Sequence, residues 1–193
     1  QGQGLFGCRE DLRSGDPYRM EDRDSPEFKE KQVTEIRNLF IKDCQISGGV
    51  NTGAVMGGLW NFFQEDFGTI NIENCHVTGT ISAGGSSGGI VGSASSVKNS
   101  SFQGAIVSNG SVGGIAGEVY YVDRCYVRGQ VKGNNQAGGI GGTAVCVRNS
   151  YCIGTVEGYC GVGGITGWGS CITGCYTRAD VSGYSRTGGL IGD

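Results

Sequence analysis

The sequence predicts an all-β protein: a β-solenoid (β-helix) of about six to seven stacked coils on a 25-residue repeat, with an irregular charged loop or cap near the N-terminus. Three observations predict it. The motif "VGGIAG" at 112–117 returns as "AGGIGG" at 137–142, "VGGITG" at 162–167 and "TGGLIG" at 187–192. Between these motifs β-branched residues recur with period two, as in "CYVRGQV" (125–131), where Cys125, Val127, Gly129 and Val131 share one parity. And one polar column alternates in charge from repeat to repeat.

In chain order, "GQGLFG" (2–7) reads as the end of a preceding repeat. Residues 1–32 are expected to form a partial first coil plus a charged loop or cap. In the stretch 8–32, fourteen of 25 residues are charged and both prolines occur, which breaks the strand pattern. A solvated loop, with a short helix around 26–32, is the simpler expectation; a docking arm for another subunit is the alternative. Residues 33–193 then form one continuous solenoid domain. Taking the first glycine of each pair as origin gives Gly57, Gly88, Gly113, Gly138, Gly163 and Gly188. The step from Gly57 to Gly88 is longer, and "NFFQED" (61–66) is read as an insertion there.

In this alignment Leu59, Ile90, Ile115, Ile140, Ile165 and Leu190 fall in one column, and Ile41, Ile72, Val97, Val122, Val147 and Ile172 in another. A flat sheet would expose such columns, whereas coils stacked about 4.8 Å apart bury them in a narrow core. The polar column reads Lys42, Glu73, Lys98, Asp123, Arg148, Thr173. Five alternating signs are expected of a stacking charge ladder, in which each residue faces its opposite in the next coil.

Composition narrows the function. Thirty-nine glycines are about a fifth of the chain, against a usual share of roughly 7%, but they are not at every third position, which excludes collagen. The net charge of -3 leaves no basic footprint for nucleic acid, and no apolar run suits membrane insertion. Nine cysteines favour an oxidising, extracellular setting, and their odd number leaves one without an intrachain partner. The first residue, Gln1, suggests a processed subunit or a piece of a longer chain.

The repeats "VRNSYCIGTVEG...VGGITG" (147–167) and "VDRCYVRGQVKG...AGGIGG" (122–142) resemble the GLUG motif, a glycine-rich repeat of bacterial and archaeal surface proteins. The resemblance covers about residues 33–193. Departures are Ile for the usual Leu, Ser100 and Ser150 for Cys, and Gly174 where Asn is common. The resemblance implies a β-solenoid of large adhesins and of IgA-type peptidases, where the repeat is a supporting module. It carries no catalytic residues to transfer.

No convergent catalytic set is legible. His76 is the only histidine, and its chain neighbour Cys75 points to the opposite face of a strand. No second carboxylate completes a glycosidase pair, and the glycines lack the Lys-Ser/Thr of a phosphate loop. No cofactor or metal is expected. Cysteines sharing a column in adjacent coils are candidate cross-coil disulfides: Cys146 with Cys171, and Cys44 with Cys75. Cys125 and Cys175, with serine column neighbours, are expected as free thiols. Cys8 and Cys160 are candidate inter-chain thiols. Tyr126, Tyr151 and Tyr176 form an expected exposed strip, either stacking to stiffen the sheet or contacting a glycan or another subunit. Asn99 and Asn109 match the N-glycosylation pattern.

The expected function is therefore non-enzymatic: an extracellular structural or adhesive segment of a cell-surface filament, sheath or large adhesin. It would self-associate through open solenoid ends, with surface glycans or other surface proteins as further partners. The alternatives are a spacer module of a secreted IgA-type peptidase and a carbohydrate-binding β-helix.

Overall fold

The computed structural model describes residues 6–9, 33–59 and 69–193, and side chains over 33–58 and 69–193. The charged stretch 10–32, with its expected helix, and "NFFQED" lie outside the described residues. The described chain is a parallel β-solenoid of about five turns rather than six to seven. The higher number came from counting glycine corners, and corners outnumber the complete turns between them. Among the described residues there are sixteen strands, all pairings are parallel, and no helix occurs.

Each coil has three faces. In one coil these are Val91–Lys98, Ser101–Ser108 and Ser111–Gly113; in the next, Ala116–Asp123, Tyr126–Lys132 and Asn135–Gly138. Register is uniform through the first and second faces of the body, with Val97 on Val122, Gly104 on Gly129, and Tyr126 on Tyr151, and it shifts by one residue between Asn135 and Ala137 on the third. The first-to-second-face turn needs a left-handed residue, found at Asn74, Asn99, Arg124 and Asn149, and at Gly174 in the last coil. Asparagine tolerates that conformation because its short side chain finds local partners. Asn74 Nδ2 donates to Asn38 Oδ1 at 2.7 Å, and Arg124 Nε to Asn99 Oδ1 at 2.7 Å.

The recurring glycine motif makes the corner that returns the third face to the first. A Cβ on Gly113 would collide with the Ala116 carbonyl, and one on Gly114 with Val127 and the Gly139 carbonyl. The isoleucine that follows points inward: Ile90, Ile115, Ile140 and Ile165 are all 0% exposed. Their backbones remain paired between coils, Ile115 N donating to Ile140 O at 2.8 Å and Ile140 N to Ile165 O at 2.8 Å. Burying each such side chain contributes about 1.5–3 kcal/mol. The core continues through Ile72, Val97, Val122 and Val147 on the first face and Ile81, Ile106, Val131 and Val156 on the second.

The register of the first coil corrects the sequence alignment. Met56 pairs with Val91 and Thr52 with Ser87, so "TGAVMG" (52–57) is the counterpart of "SGGIVG" (87–92). The true origin is Gly53, not Gly57, and Ala54, buried at 1% exposure, takes the place of the second glycine. Consequently Val55, not Leu59, occupies the corner column, and Ile36, not Ile41, pairs with Ile72. A bulge between Ile41 and Cys44 adds a further shift: Asp43 is left-handed there, its N–H donating to Thr78 Oγ1 at 2.9 Å.

Phe6–Arg9 pairs in parallel with Met56–Leu59, in line with the reading of "GQGLFG" as a repeat end. Arg9 partners Leu59, and Val33 partners Thr69.

Candidate functional site

The charge ladder is present in register, with one substitution of membership. Glu73 partners Lys98, Lys98 partners Asp123, and Asp123 partners Arg148. Lys42 does not belong to it. It lies in the bulge on the second face, and Arg37 partners Glu73 instead, with Nε 3.9 Å from Glu73 Oε2. The alternation of sign survives this correction, because Arg37 is also a cation. Among the described residues, no ion pair within 4.0 Å joins Lys98, Asp123 and Arg148 to one another. Asp123, only 6% exposed, takes Arg124 at 3.2 Å and the Asn149 amide at 2.9 Å. Lys98 and Arg148 both lie 5.7 Å from the Tyr121 ring centroid, a cation–π arrangement shared by one ring.

The cysteines separate into three environments. Cys146 and Cys171 are register partners on the outward side of the first face, both half-buried and both thiols. They are near enough to perturb each other, and the Arg148 guanidinium favours the thiolate of both. Burial and Cys171 push the Cys146 thiol up, whereas donation from Cys146, then Thr173 and Arg148, holds Cys171 down. The expected Cys44–Cys75 pair is not formed. Cys75 partners Leu39, and Cys44 partners Gly79, because the bulge and the Gly53 origin move Cys44 out of that column.

Cys75, Cys125 and Cys175 alternate with Ser100 and Ser150 in a small-residue column. Ser150 Oγ accepts from Cys125 N at 3.1 Å and donates to Arg148 O at 2.6 Å. Cys125 Sγ donates to the Asp123 carbonyl at 3.4 Å. Burial pushes the Cys125 and Cys152 thiols up to about 12, so both are inert. Cys125 is buried and Cys175 half-buried, and both carry thiols. Cys160, half-buried on the third face, accepts from Arg186 Nη2 at 2.8 Å, and this cation lowers its pKa. The Cys8 side chain lies outside the described residues.

The tyrosine strip is a stack. Tyr126 and Tyr151 have ring centroids 5.3 Å apart and planes within 8°, and Tyr151 and Tyr176 are 4.9 Å apart within 9°. Ring faces that cover one another are not open to a sugar, so this geometry suits stiffening of the second face better than glycan stacking.

His76 lies in the same column, after Phe40, and has partners that reasoning along a single strand missed. Its Nδ1 lies 2.7 Å from Ser101 Oγ in the next coil, and its Nε2 lies 3.2 Å from Asn74 Oδ1. A hydroxyl, an imidazole and an amide in line resemble a nucleophile relay. Yet Ser101 is only 7% exposed, and the surrounding backbone donors are taken up by the inter-coil ladder. The column containing both residues was the signal that could have found the pair.

Of the two glycosylation patterns, Asn109 is exposed in the turn before the third face. Asn99 is engaged on both sides, donating to Glu73 Oε1 at 3.1 Å and accepting from Arg124. Among the described residues no group of three or more His, Cys, Asp or Glu side chains is arranged to hold a metal. In comparisons with known proteins, no family model, no curated protein and no solved structure matches the chain.

Proposed function

We propose that this chain is a non-enzymatic, extracellular structural segment of a cell-surface filament, sheath or adhesin, and that it lengthens by joining a second copy end to end. The GLUG-like repeats and nine cysteines support the cell-surface setting. The observation that supports continuation of the stack is the outer edge of the coil formed by Cys171–Thr173 and Tyr176–Gly188, which a further coil of the same register would cover. Among the described residues, Cys171–Thr173 and Tyr176–Gly188 are each paired along one side only. Their inward residues Ile172, Cys175, Ala179 and Val181 are only partly covered, while Val147 and Val156, one coil earlier, are 0% exposed.

Natural edge strands are guarded by lysine, proline, bulges or inward charges. Tyr176–Gly188 has no lysine, proline or inward-pointing charge: Arg178 and Asp180 are exposed, and Thr177, Ala179 and Val181 alternate with them. The aromatic column is exposed at both extremes, Phe40 at 68% and Tyr176 at 50%. Head-to-tail joining would set these two rings one coil apart and continue the stack.

The test is sedimentation velocity over a wide concentration range, comparing the parent with Val181→Lys, which points a charge inward from the edge. The parent should form concentration-dependent end-to-end species and the variant should not. Parent and variant both monomeric at every concentration would refute association.

A further inference from the structure

We propose that Cys146 and Cys171 form a thiol–disulfide exchange site on the first face, taking anionic low-molecular-weight disulfides as its oxidant. This inference is independent of end-to-end association.

Geometry selects the pair. Register partners on adjacent parallel strands sit about 4.8 Å apart, inside the window of about 4.4–6.8 Å that a disulfide spans between Cα atoms. Both side chains belong to the outward column Asn71, Ser96, Tyr121, Cys146, Cys171. They are reachable from solvent and lie directly opposite each other in register, as a cross-coil bond requires. The other half-buried cysteines lack such a partner: Cys44 faces Gly79, Cys175 follows Ser150 in its column, and Cys160 lies between Asn135 and Ser185.

Roles within the pair follow from the surroundings. Cys146 lies between Tyr121 and Cys171 in the column, and the Cys171 sulfur has the Thr173 hydroxyl 4.0 Å away. Thr173, Arg148 and the Cys146 thiol all favour the Cys171 thiolate, and the thiolate is the nucleophile. Arg148 is exposed and Lys98 shares its row two coils away, so the approach is cationic; Asp123 between them is occupied by Arg124 and Asn149. An oxidant bearing carboxylates fits this field.

The exchange balances in two displacements. The Cys171 thiolate attacks one sulfur of the small disulfide, its S–S bond breaks, and the departing thiolate takes a proton from water. Cys146, giving its proton to water, then attacks the Cys171 sulfur and expels the second small thiolate, which is protonated in turn. Two cysteine thiols lose two electrons and form one cross-coil disulfide; one small disulfide is reduced to two thiols.

The experiment exposes the full, reduced chain to glutathione disulfide, and separately to the cationic disulfide cystamine, quenches with acid and maps peptides by mass. The parent should give a Cys146–Cys171 cystine faster than any other cysteine reacts, and faster with glutathione disulfide than with cystamine. Cys146→Ser should trap the glutathione mixed disulfide on Cys171. In Cys171→Ser, Cys146 should react measurably more slowly than Cys171 does in Cys146→Ser, because the thiolate is the attacking form. Arg148→Gln should slow glutathione disulfide and narrow the preference over cystamine. Absence of a Cys146–Cys171 cystine at every redox ratio would overturn the site. Equal single-variant rates would overturn the assigned order of attack, and a faster reaction with cystamine the assigned oxidant class.

Discussion

Gly129→Ala tests the stacking of coils at one atom. Gly129 has φ +141°, and its column neighbours Gly104 and Gly154 have +149° and +137°. A Cβ there would run into the carbonyl of Gly104 in the preceding coil. Holding a non-glycine residue in that backbone region costs about 1–3 kcal/mol. Overpacking against a backbone that cannot swing aside adds about 1–3 kcal/mol. A central loss of about 4 kcal/mol corresponds to a drop of about 8–16 °C in Tm for a chain of this length. Thermal unfolding followed by circular dichroism reads it, with exposed Gln130→Ala, expected within about 0.5 kcal/mol of the parent, as control. The column itself ends in alanine at Ala179, where the backbone is not left-handed, so the requirement belongs to the stacked body. A Gly129→Ala protein as stable as Gln130→Ala would refute the close carbonyl contact and the coil spacing behind it.

Asp123→Lys removes the acceptor for Arg124 and Asn149 and sets three cations in successive coils; a loss of about 1.5–3 kcal/mol is expected in denaturant titration, smaller at high salt. Cys125 and Cys152 are neutral in the fold, with pKa raised to about 12 by burial, while unfolded thiols ionise near 8.5. Their contribution is complete below about pH 8.5 and is lost as pH rises towards 12, because only the unfolded chain then releases those protons. Urea titrations from pH 8 to 11 should show this decline, and Cys125→Ser with Cys152→Val should flatten it. Expression in a glycosylating host should place glycan on exposed Asn109 and leave Asn99 bare, as peptide mass mapping would read; modification of Asn99 with retention of the fold would contradict the turn ladder. Closing Cys146–Cys171 spans a 25-residue loop and should stabilise the chain by about 3 kcal/mol, measured by denaturant midpoint before and after oxidation.

The body of the fold was legible because its period is uniform. Val97, Val122 and Val147, or Lys98, Asp123 and Arg148, can be stacked by counting alone. The Cys146–Cys171 juxtaposition was legible for the same reason. The first coil was not, because Ala54 replaces the glycine used as its marker and a bulge at Asp43 adds one residue within a strand. Those two local departures misplaced Lys42 and Cys44 together. Side-chain partners across the ladder were also beyond counting. Register put Asp123 beside Arg148, but the carboxylate is drawn to the turn residues Arg124 and Asn149, which reach it with better geometry. His76 and Ser101 shared a column in the sequence; their 2.7 Å contact emerges once neighbours are sought between coils rather than along the strand.

The central claim, a solenoid rod that lengthens through its open edge, is tested most directly by electron microscopy of the unreduced chain across a range of concentrations. The account predicts filaments of constant width that lengthen with concentration, with the strand spacing of about 4.8 Å running along the filament axis. Monodisperse rods one chain long at every concentration, or filaments whose strands run along the axis, would contradict it.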